Sequence, residues 1–318
     1  MPSYSGVWTM PAVYQAVAQG NWPLPPPSGD LAVFSGGDST NVMDYVGIAS
    51  TGNAFDFGDL TYNNNGLNSG AASSTRGLVA GTYDVNIINY LTFSTVGNAV
   101  DFGDLTVGRN KAQGVNNSTR AVWIGGGNSG GASNVMDYVT IASTGNATDF
   151  GDVTFNVYTG RPLGSANSTT RGVIAGGYDA DYSNVIQYIT TATTGNTTDF
   201  GDLTQAVTEG CGTSNATRGL FAGGYLTGTV KTNVIAYITI ASEGNAIDFG
   251  DLTLVGGLGS NNKAGASNTT RGLFAGGDNS CNIIEYVTIA SAGNSIDFGD
   301  LTSGRAGLAG CSNANGGL

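Results

Sequence analysis

The hexapeptide Asp-Phe-Gly-Asp-[Leu/Val]-Thr occurs six times, starting at Asp56, Asp101, Asp149, Asp199, Asp248 and Asp297. Successive copies are separated by 45, 48, 50, 49 and 49 residues. A period of about 48 residues confines the chain to architectures that repeat one supersecondary unit. Each copy follows a segment such as "NVMDYVTIASTGNAT" (134–148), and each copy except the last precedes a "TRGLFAGG"-like segment (217–224 in one copy).

The unit at 205–253 offers four strand-like pieces: a small-residue stretch around Cys211–Ser214, "GLFAGG" (219–224), "NVIAYITIA" (233–241) and "AIDFGDLT" (246–253). The turn-forming groups "SNAT" and "SEGN" separate the first pair and the last pair. Four strands in about 48 residues, six times over, predict an all-β fold, a six-bladed β-propeller. Stacked β-turn solenoids are the alternative, but their rungs are shorter. The ends of the repeat favour a ring. "LAVFSGG" (31–37) enters as a second strand without a first, and "AGCSNANGGL" (309–318) leaves as a first strand without a second. Closure through the C-terminal strand would remove exposed sheet edges.

"GLFAGG", "NVIAY" and the Phe249/Leu252 pair resemble the kelch repeat over residues 31–318. In that family a Gly-Gly pair ends the second strand, a Tyr lies on the third and a Trp marks the fourth; here Phe replaces the Trp. Kelch propellers serve as enzymes, scaffolds and binders, so this resemblance implies architecture and leaves activity open.

Composition narrows the function classes. The 52 Gly and an 11% charged content suit many short strands. A net charge of −12 argues against nucleic acid and anionic membranes as partners. There is no His, which removes the commonest general base and zinc ligand and any copper site of the kelch oxidase type. Cys211, Cys281 and Cys311 show neither CxxC spacing nor an even-numbered framework. No basic leader and no apolar run of about 20 residues appear, so neither secretion nor membrane insertion is expected. The Asp-Phe-Gly of protein kinases binds Mg²⁺ once, beside a phosphate-binding Lys and a catalytic Asp. Six copies without those partners read as scaffold. No calcium-loop spacing appears, so a cation held by channel carboxylates ranks low. We expect no catalytic residue, metal or cofactor.

The structural repeat residues are Phe57, Phe102, Phe150, Phe200, Phe249 and Phe298, expected between blades, and Arg76, Arg120, Arg171, Arg218 and Arg271, expected to bind the repeated Asp across blades. The glycine of each motif is expected to allow a bulge or close approach. Tyr to the first motif Asp is always 11 residues (Tyr45 to Asp56, Tyr286 to Asp297), so the 3–4 turn is fixed, and the 1–2 turn is equally constant. Length variation falls on the 2–3 linkers, from "DST" (38–40) to "YLTGTVKT" (225–232), and on the 4–1 connections. Both kinds lie on one face of an up-down ring, which becomes the candidate binding face. Its candidate residues are Tyr62, Tyr178, Asp179, Asp181, Tyr182, Tyr225, Lys231, Asp278 and Asn279, with the tyrosines read as exposed platforms for stacking on sugar rings.

Residues 1–30 stand outside the repeat as an N-terminal docking segment with a Pro-rich linker, carrying candidate docking residues Trp8, Tyr14 and Trp22. Packing beneath its own propeller is the alternative. "WT…YQA…GNWP" in this segment resembles the beginnings of virion proteins from tailed phages of marine bacteria. That resemblance implies a non-enzymatic, tail-associated structural protein made without a signal peptide. It would be oligomeric in the particle, joined to other virion proteins through residues 1–30, with the propeller displayed toward a host glycan or protein. A decoration or cement protein packed between subunits is the alternative, and an extracellular carbohydrate-active enzyme ranks behind both.

Overall fold

The computed structural model describes residues 28–64, 69–154, 164–179, 181–226, 230–253 and 261–318. Trp8, Tyr14 and Trp22 lie outside them. Six four-stranded antiparallel sheets form a β-propeller, and no helix occurs among the described residues.

From the innermost strand outward, blade 2 contains Ser69–Ala72, Arg76–Thr82, Val85–Thr92 and Val100–Asp104. Blade 3 contains Gln113–Asn116, Arg120–Ile124, Val135–Thr140 and Thr148–Asp152. Blade 4 contains Gly164–Asn167, Arg171–Asp179, Asp181–Thr190 and Thr198–Asp202. Blade 5 contains Cys211–Ser214, Arg218–Ala222, Val234–Thr239 and Ile247–Asp251. Blade 6 contains Ala264–Ser267, Arg271–Ala275, Ile283–Thr288 and Ile296–Asp300. Blade 1 is composite: Leu31–Ser35, Thr40–Gly47 and Phe55–Asn64 take their inner strand from Ala309–Ser312. The closing register pairs Ala32 with Ser312 and Ser35 with Ala309, as the incomplete end repeats predict.

The DFGD strand owes its sequence to two neighbours at once. In all six blades the pairing of strands 3 and 4 shifts register at a bulge; in blade 5, Ala236 faces Asp248 and Ile235 faces Gly250, leaving Phe249 as the extra residue. The bulge turns the Phe inward, where Phe249 packs with Leu220 and Ile235 of blade 5 and Phe274 and Ile289 of blade 6. Each Phe also meets the strand-3 Tyr of its own blade edge to face, at centroid distances of 5.7–6.0 Å.

The same strand is the landing site for the next blade's 3–4 turn. Gly293 N donates to Phe249 O at 2.8 Å, Asp251 N donates to Asn294 Oδ1 at 3.0 Å, and Ser295 N donates to Asp251 O at 2.9 Å. Equivalent triplets occur at every junction of the ring. Each outer edge is thereby paired and protected from adventitious strand addition. Gly250 has φ +149°, and a Cβ there would lie 2.5 Å from Gly293 O, so the turn docks closely only against glycine.

The repeated arginines correct one expectation. They do reach across blades, but their acceptors are backbone carbonyls rather than the motif Asp. Arg218 Nη1 donates to Ile289 O and Ala290 O at 3.0 and 2.8 Å. Arg76 does the same to Ile141 and Ala142. Arg120, Arg171 and Arg271 bind Ala192, Ile240 and Ile48, respectively. Each guanidinium lies 4.4–4.9 Å from the ring of its own blade's Tyr. The carbonyls at the end of strand 3 have no ladder partner there, so a fixed planar donor is worth more to them than to a solvated Asp. At the blade 1–2 junction Leu31 stands in the Arg position and packs with Phe93 instead.

Candidate binding surface on the variable face

The 2–3 and 4–1 connections do share one face, since they bond to each other: Asn110 bridges Gly127, Thr208 bridges Tyr225, and Asp38 N donates to Ala306 O. Two of these loops are anchored by buried ion pairs. Arg109 Nη1 lies 2.6 Å from Asp137 Oδ2, and Arg305 Nη2 lies 2.9 Å from Asp44 Oδ2, with all four side chains essentially inaccessible. Thr106 and Thr302 hydroxyls donate to the same carboxylates. The carboxylates occupy the position just before the strand-3 Tyr, which is polar and buried in five blades as Asp44, Asn89, Asp137, Gln187 and Glu285. Glu285 accepts from Thr253 N at 3.0 Å and pairs with the buried Lys263 at 3.5 Å. The sequence signal for this pairing is "LTVGR" (105–109) and "LTSGR" (301–305), a recurrence that stands outside the sixfold pattern.

Two of the predicted residues converge on the carboxylate of a third between blades 5 and 6. Asp278 accepts from Tyr225 Oη at 2.8 Å and Lys231 Nζ at 3.4 Å. It also accepts from the side-chain amides of Asn261 and Asn262, the latter at 2.6 Å. Lys231 sits over the Tyr225 ring, 5.5 Å from its centroid. Burial raises the affinity of Asp278 for its proton, but the Asn262, Asn261 and Tyr225 hydrogen bonds and the Lys231 charge outweigh it and hold the carboxyl below its ordinary value. Burial, then the bond to Asp278, pushes the Tyr225 phenol up to about 12. Asn261 and Asn262, from the polar run "SNNK" (260–263), were not among the predicted residues. Asn279 follows Asp278 in the left-handed region at φ 61°.

The remaining candidates lie apart from this network. On blade 4, Tyr178 and Tyr182 pair edge to face at 5.5 Å across a hairpin, and Tyr178 is 37% exposed. Asp179 pairs with Asp181 in the backbone register, and Asp181 Oδ1 accepts from Tyr182 N. Tyr182 and Tyr225 are half-buried rather than the open platforms expected, and Tyr62 departs from that role too. It is half-buried, its hydroxyl donates to Gly81 O at 3.1 Å, and burial raises its phenol well above the ordinary value.

The central channel is too small to serve as a ligand cleft. Its variable-face end is a hollow of about 50 Å³ lined by Lys111, Gln113, Glu209, Cys211, Lys263 and Leu308. Since ~10–15 Å³ of such space accommodates one water, it suits a few waters and no sugar ring. Lys111 and Glu209 pair across it at 3.5 Å. Burial pushes the Cys211 thiol up to about 12, which leaves it protonated. Below the hollow the inner strands touch backbone to backbone; a Cβ on Gly265 would collide with Gly212 O. Asn315 closes the constant-face end, exchanging side-chain hydrogen bonds with Asn116 at 3.1 and 3.3 Å. Among the described residues no group of three or more His, Cys, Asp or Glu is placed to hold a metal ion.

No family model matches the chain, and no curated protein matches it. Its fold matches 334 solved chains. One is the structure of YjhT, with a TM-score of 0.60 and 10% sequence identity over 77% of this chain and 87% of that one. At this identity the likeness shows the six-bladed propeller fold alone.

Proposed function

We propose that the chain is a non-enzymatic structural protein of a phage particle, tail-associated, whose propeller displays its variable face to a glycan on the host surface. The observation that carries this reading is the Asp278 network. Two loops of blade 6 and one of blade 5 differ in length from their counterparts in other blades, yet five side chains tie them into one fixed polar surface. Lys231, Tyr225 and the neighbouring Asn279 offer donors and a ring edge to sugar hydroxyls, and preorganised groups bind without a large ordering cost. The exposed Tyr178 ring adds a stacking platform on blade 4.

A binding rather than catalytic role is supported by how the acids are used. All three Glu of the chain are engaged: Glu209 with Lys111, Glu243 with Arg171 and Tyr188, and Glu285 with Lys263, Thr253 and Ser295. Most glycoside hydrolases place two carboxyl groups on one open site, whereas the buried Asp44 and Asp137 are committed to arginines. A decoration protein packed between virion subunits is the second reading, favoured by the narrowness of the channel. Adsorption of the labelled protein to host cells, with a glycan array, separates the two. Binding lost on deletion of 225–232 supports recognition. Binding unchanged by that deletion, or a propeller wedged between subunits in the particle with no cell binding, refutes it.

A further inference from the structure

Exposed apolar side chains are unevenly placed around the ring. The residue before each DFGD motif begins the outer strand on the constant face. It is Phe55, Val100, Ile247 and Ile296 in blades 1, 2, 5 and 6, all 53–55% exposed. It is Thr148 and Thr198 in blades 3 and 4. Blades 5, 6, 1 and 2 are consecutive, so the four apolar residues form one arc. Val96, in the 3–4 turn of blade 2, is also exposed and extends it. Under Ile296 a hollow of about 150 Å³ opens against Tyr286, Thr288 and Ser291. At the arc's far end the equivalent turn residue of blade 5 is Glu243, tied to Arg171 and Tyr188 of blade 4. Among the described residues, the other large exposed apolar side chains, Tyr83, Tyr178 and Val230, belong to the opposite face. Four apolar side chains that are each more than half exposed at equivalent outer-strand positions offer one side of the ring as a docking surface.

The place where the described chain begins identifies the cover. Asp30 O accepts from Ile48 N of blade 1 at 2.8 Å, and the Asp30 carboxylate accepts from Asn268 of blade 6 at 2.9 Å. Gly29 O accepts from Asn313 at 3.0 Å. The chain therefore enters the propeller on the constant face at the junction of blades 6 and 1, midway along the arc. Residues 1–27 contain no charged side chain and include Val7, Trp8, Met10, Val13, Tyr14, Val17 and Trp22. A stretch of that length reaches up to ~90 Å when extended, whereas the step from the second to the fourth strand of a blade is only ~10 Å.

We propose that residues 1–27 dock across the arc of their own propeller, with Trp8, Tyr14 and Trp22 covering Phe55, Val100, Ile247 and Ile296. An uncharged aromatic segment tethered at the midpoint meets an apolar row of matching chemistry at high effective concentration. The surface lies opposite the variable loops, so the test does not depend on what those loops bind. The perturbation is already present in the ring, since threonine occupies the same position in blades 3 and 4. In the full chain, Phe55→Thr, Val100→Thr, Ile247→Thr and Ile296→Thr together should let chymotrypsin cut at Trp8 and Tyr14 about tenfold faster, the change that ~1.4 kcal/mol of lost docking gives. A companion variant, Trp8→Ala with Trp22→Ala, leaves the propeller untouched and should speed cleavage at Tyr14 equally. Equal cleavage of wild type and both variants overturns the proposal. Protection that vanishes on dilution also overturns it, because a second copy would then be the cover.

Discussion

Removing the carboxylate of Asp137 tests whether the buried pairs hold the variable loops in place. Asp137→Ala strips Arg109 of the carboxylate 2.6 Å away and strips Thr106 of its acceptor. Breaking a buried pair by deleting one member costs about 3–5 kcal/mol, because the remaining charge is uncompensated. Arg109 keeps three backbone acceptors, Gly125 O at 2.7 Å, Val107 O at 3.1 Å and Trp123 O at 3.2 Å. Those carbonyls solvate the guanidinium and place the expected loss near the lower end, about 3 kcal/mol. With a denaturant slope of ~3 kcal/mol/M, the urea midpoint followed by far-ultraviolet circular dichroism should fall by about 1 M. Adding Arg109→Met removes the stranded charge and should restore most of the loss, giving a coupling energy of about 2 kcal/mol in the double-mutant cycle. Asp44→Ala should behave alike, since Arg305 and Thr302 repeat the geometry. A loss under about 1 kcal/mol for Asp137→Ala, or strict additivity with Arg109→Met, would refute the reasoning.

Gly250→Ala places a methyl against Gly293 O at a φ of +149°, so thermal unfolding should report a loss of about 1–3 kcal/mol; an unchanged midpoint would show that the turn docks loosely. Asp278→Asn removes the carboxylate bonded to Tyr225, so the phenol titration read by tyrosine carbon NMR should move down from about 12 yet stay above its ordinary value, because burial is its larger cause. Since the Asp278 carboxyl lies below its ordinary value when folded, its stabilising contribution is complete above about pH 4 and disappears as pH falls further. The wild-type advantage over Asp278→Asn should therefore be flat near neutrality and collapse only in acid. Burial pushes the Cys211 and Cys311 thiols each up to about 12, so a disulfide reagent at pH 8 should modify Cys281 in the folded protein and the other two only after denaturation.

The ring was legible because its signals are local and repeated. The predicted inner piece Cys211–Ser214 is a strand with those bounds, and the constant Tyr-to-Asp interval reflects a turn that must fit the preceding blade. What resisted reading depends on partners that are not neighbours in sequence, whether 19 residues apart, as Tyr62 and Gly81 are, or 71, as Arg218 and Ile289 are. "AGN" (292–294) looks like ordinary turn chemistry, and nothing local says that Asn294 also accepts from Asp251 N of blade 5. The arginine partners were misassigned because charge complementarity suggests Asp, whereas carbonyl groups at strand ends carry no sequence signature. Tyr225, Lys231 and Asp278 were each visible as loop residues of the right kind, but their convergence came from the 5–6 junction. Tyr62 failed as an exposed platform because the Phe55–Asn64 strand continues past it and turns its hydroxyl onto Gly81.

Ring closure by Ala309–Ser312 sets a schedule for biosynthesis. Leu31 N finds its acceptor on Asn313, 282 residues later in the chain. At ~5–20 residues per second, strand Leu31–Ser35 waits roughly 15–55 s on the ribosome with its inner edge unpaired. During that interval the apolar sequence LAVFS is exposed to whatever edge it meets, including the same strand of a neighbouring nascent chain. A stop codon near the end of the message would leave that edge open permanently, so short truncations should be degraded or aggregate although five blades are intact.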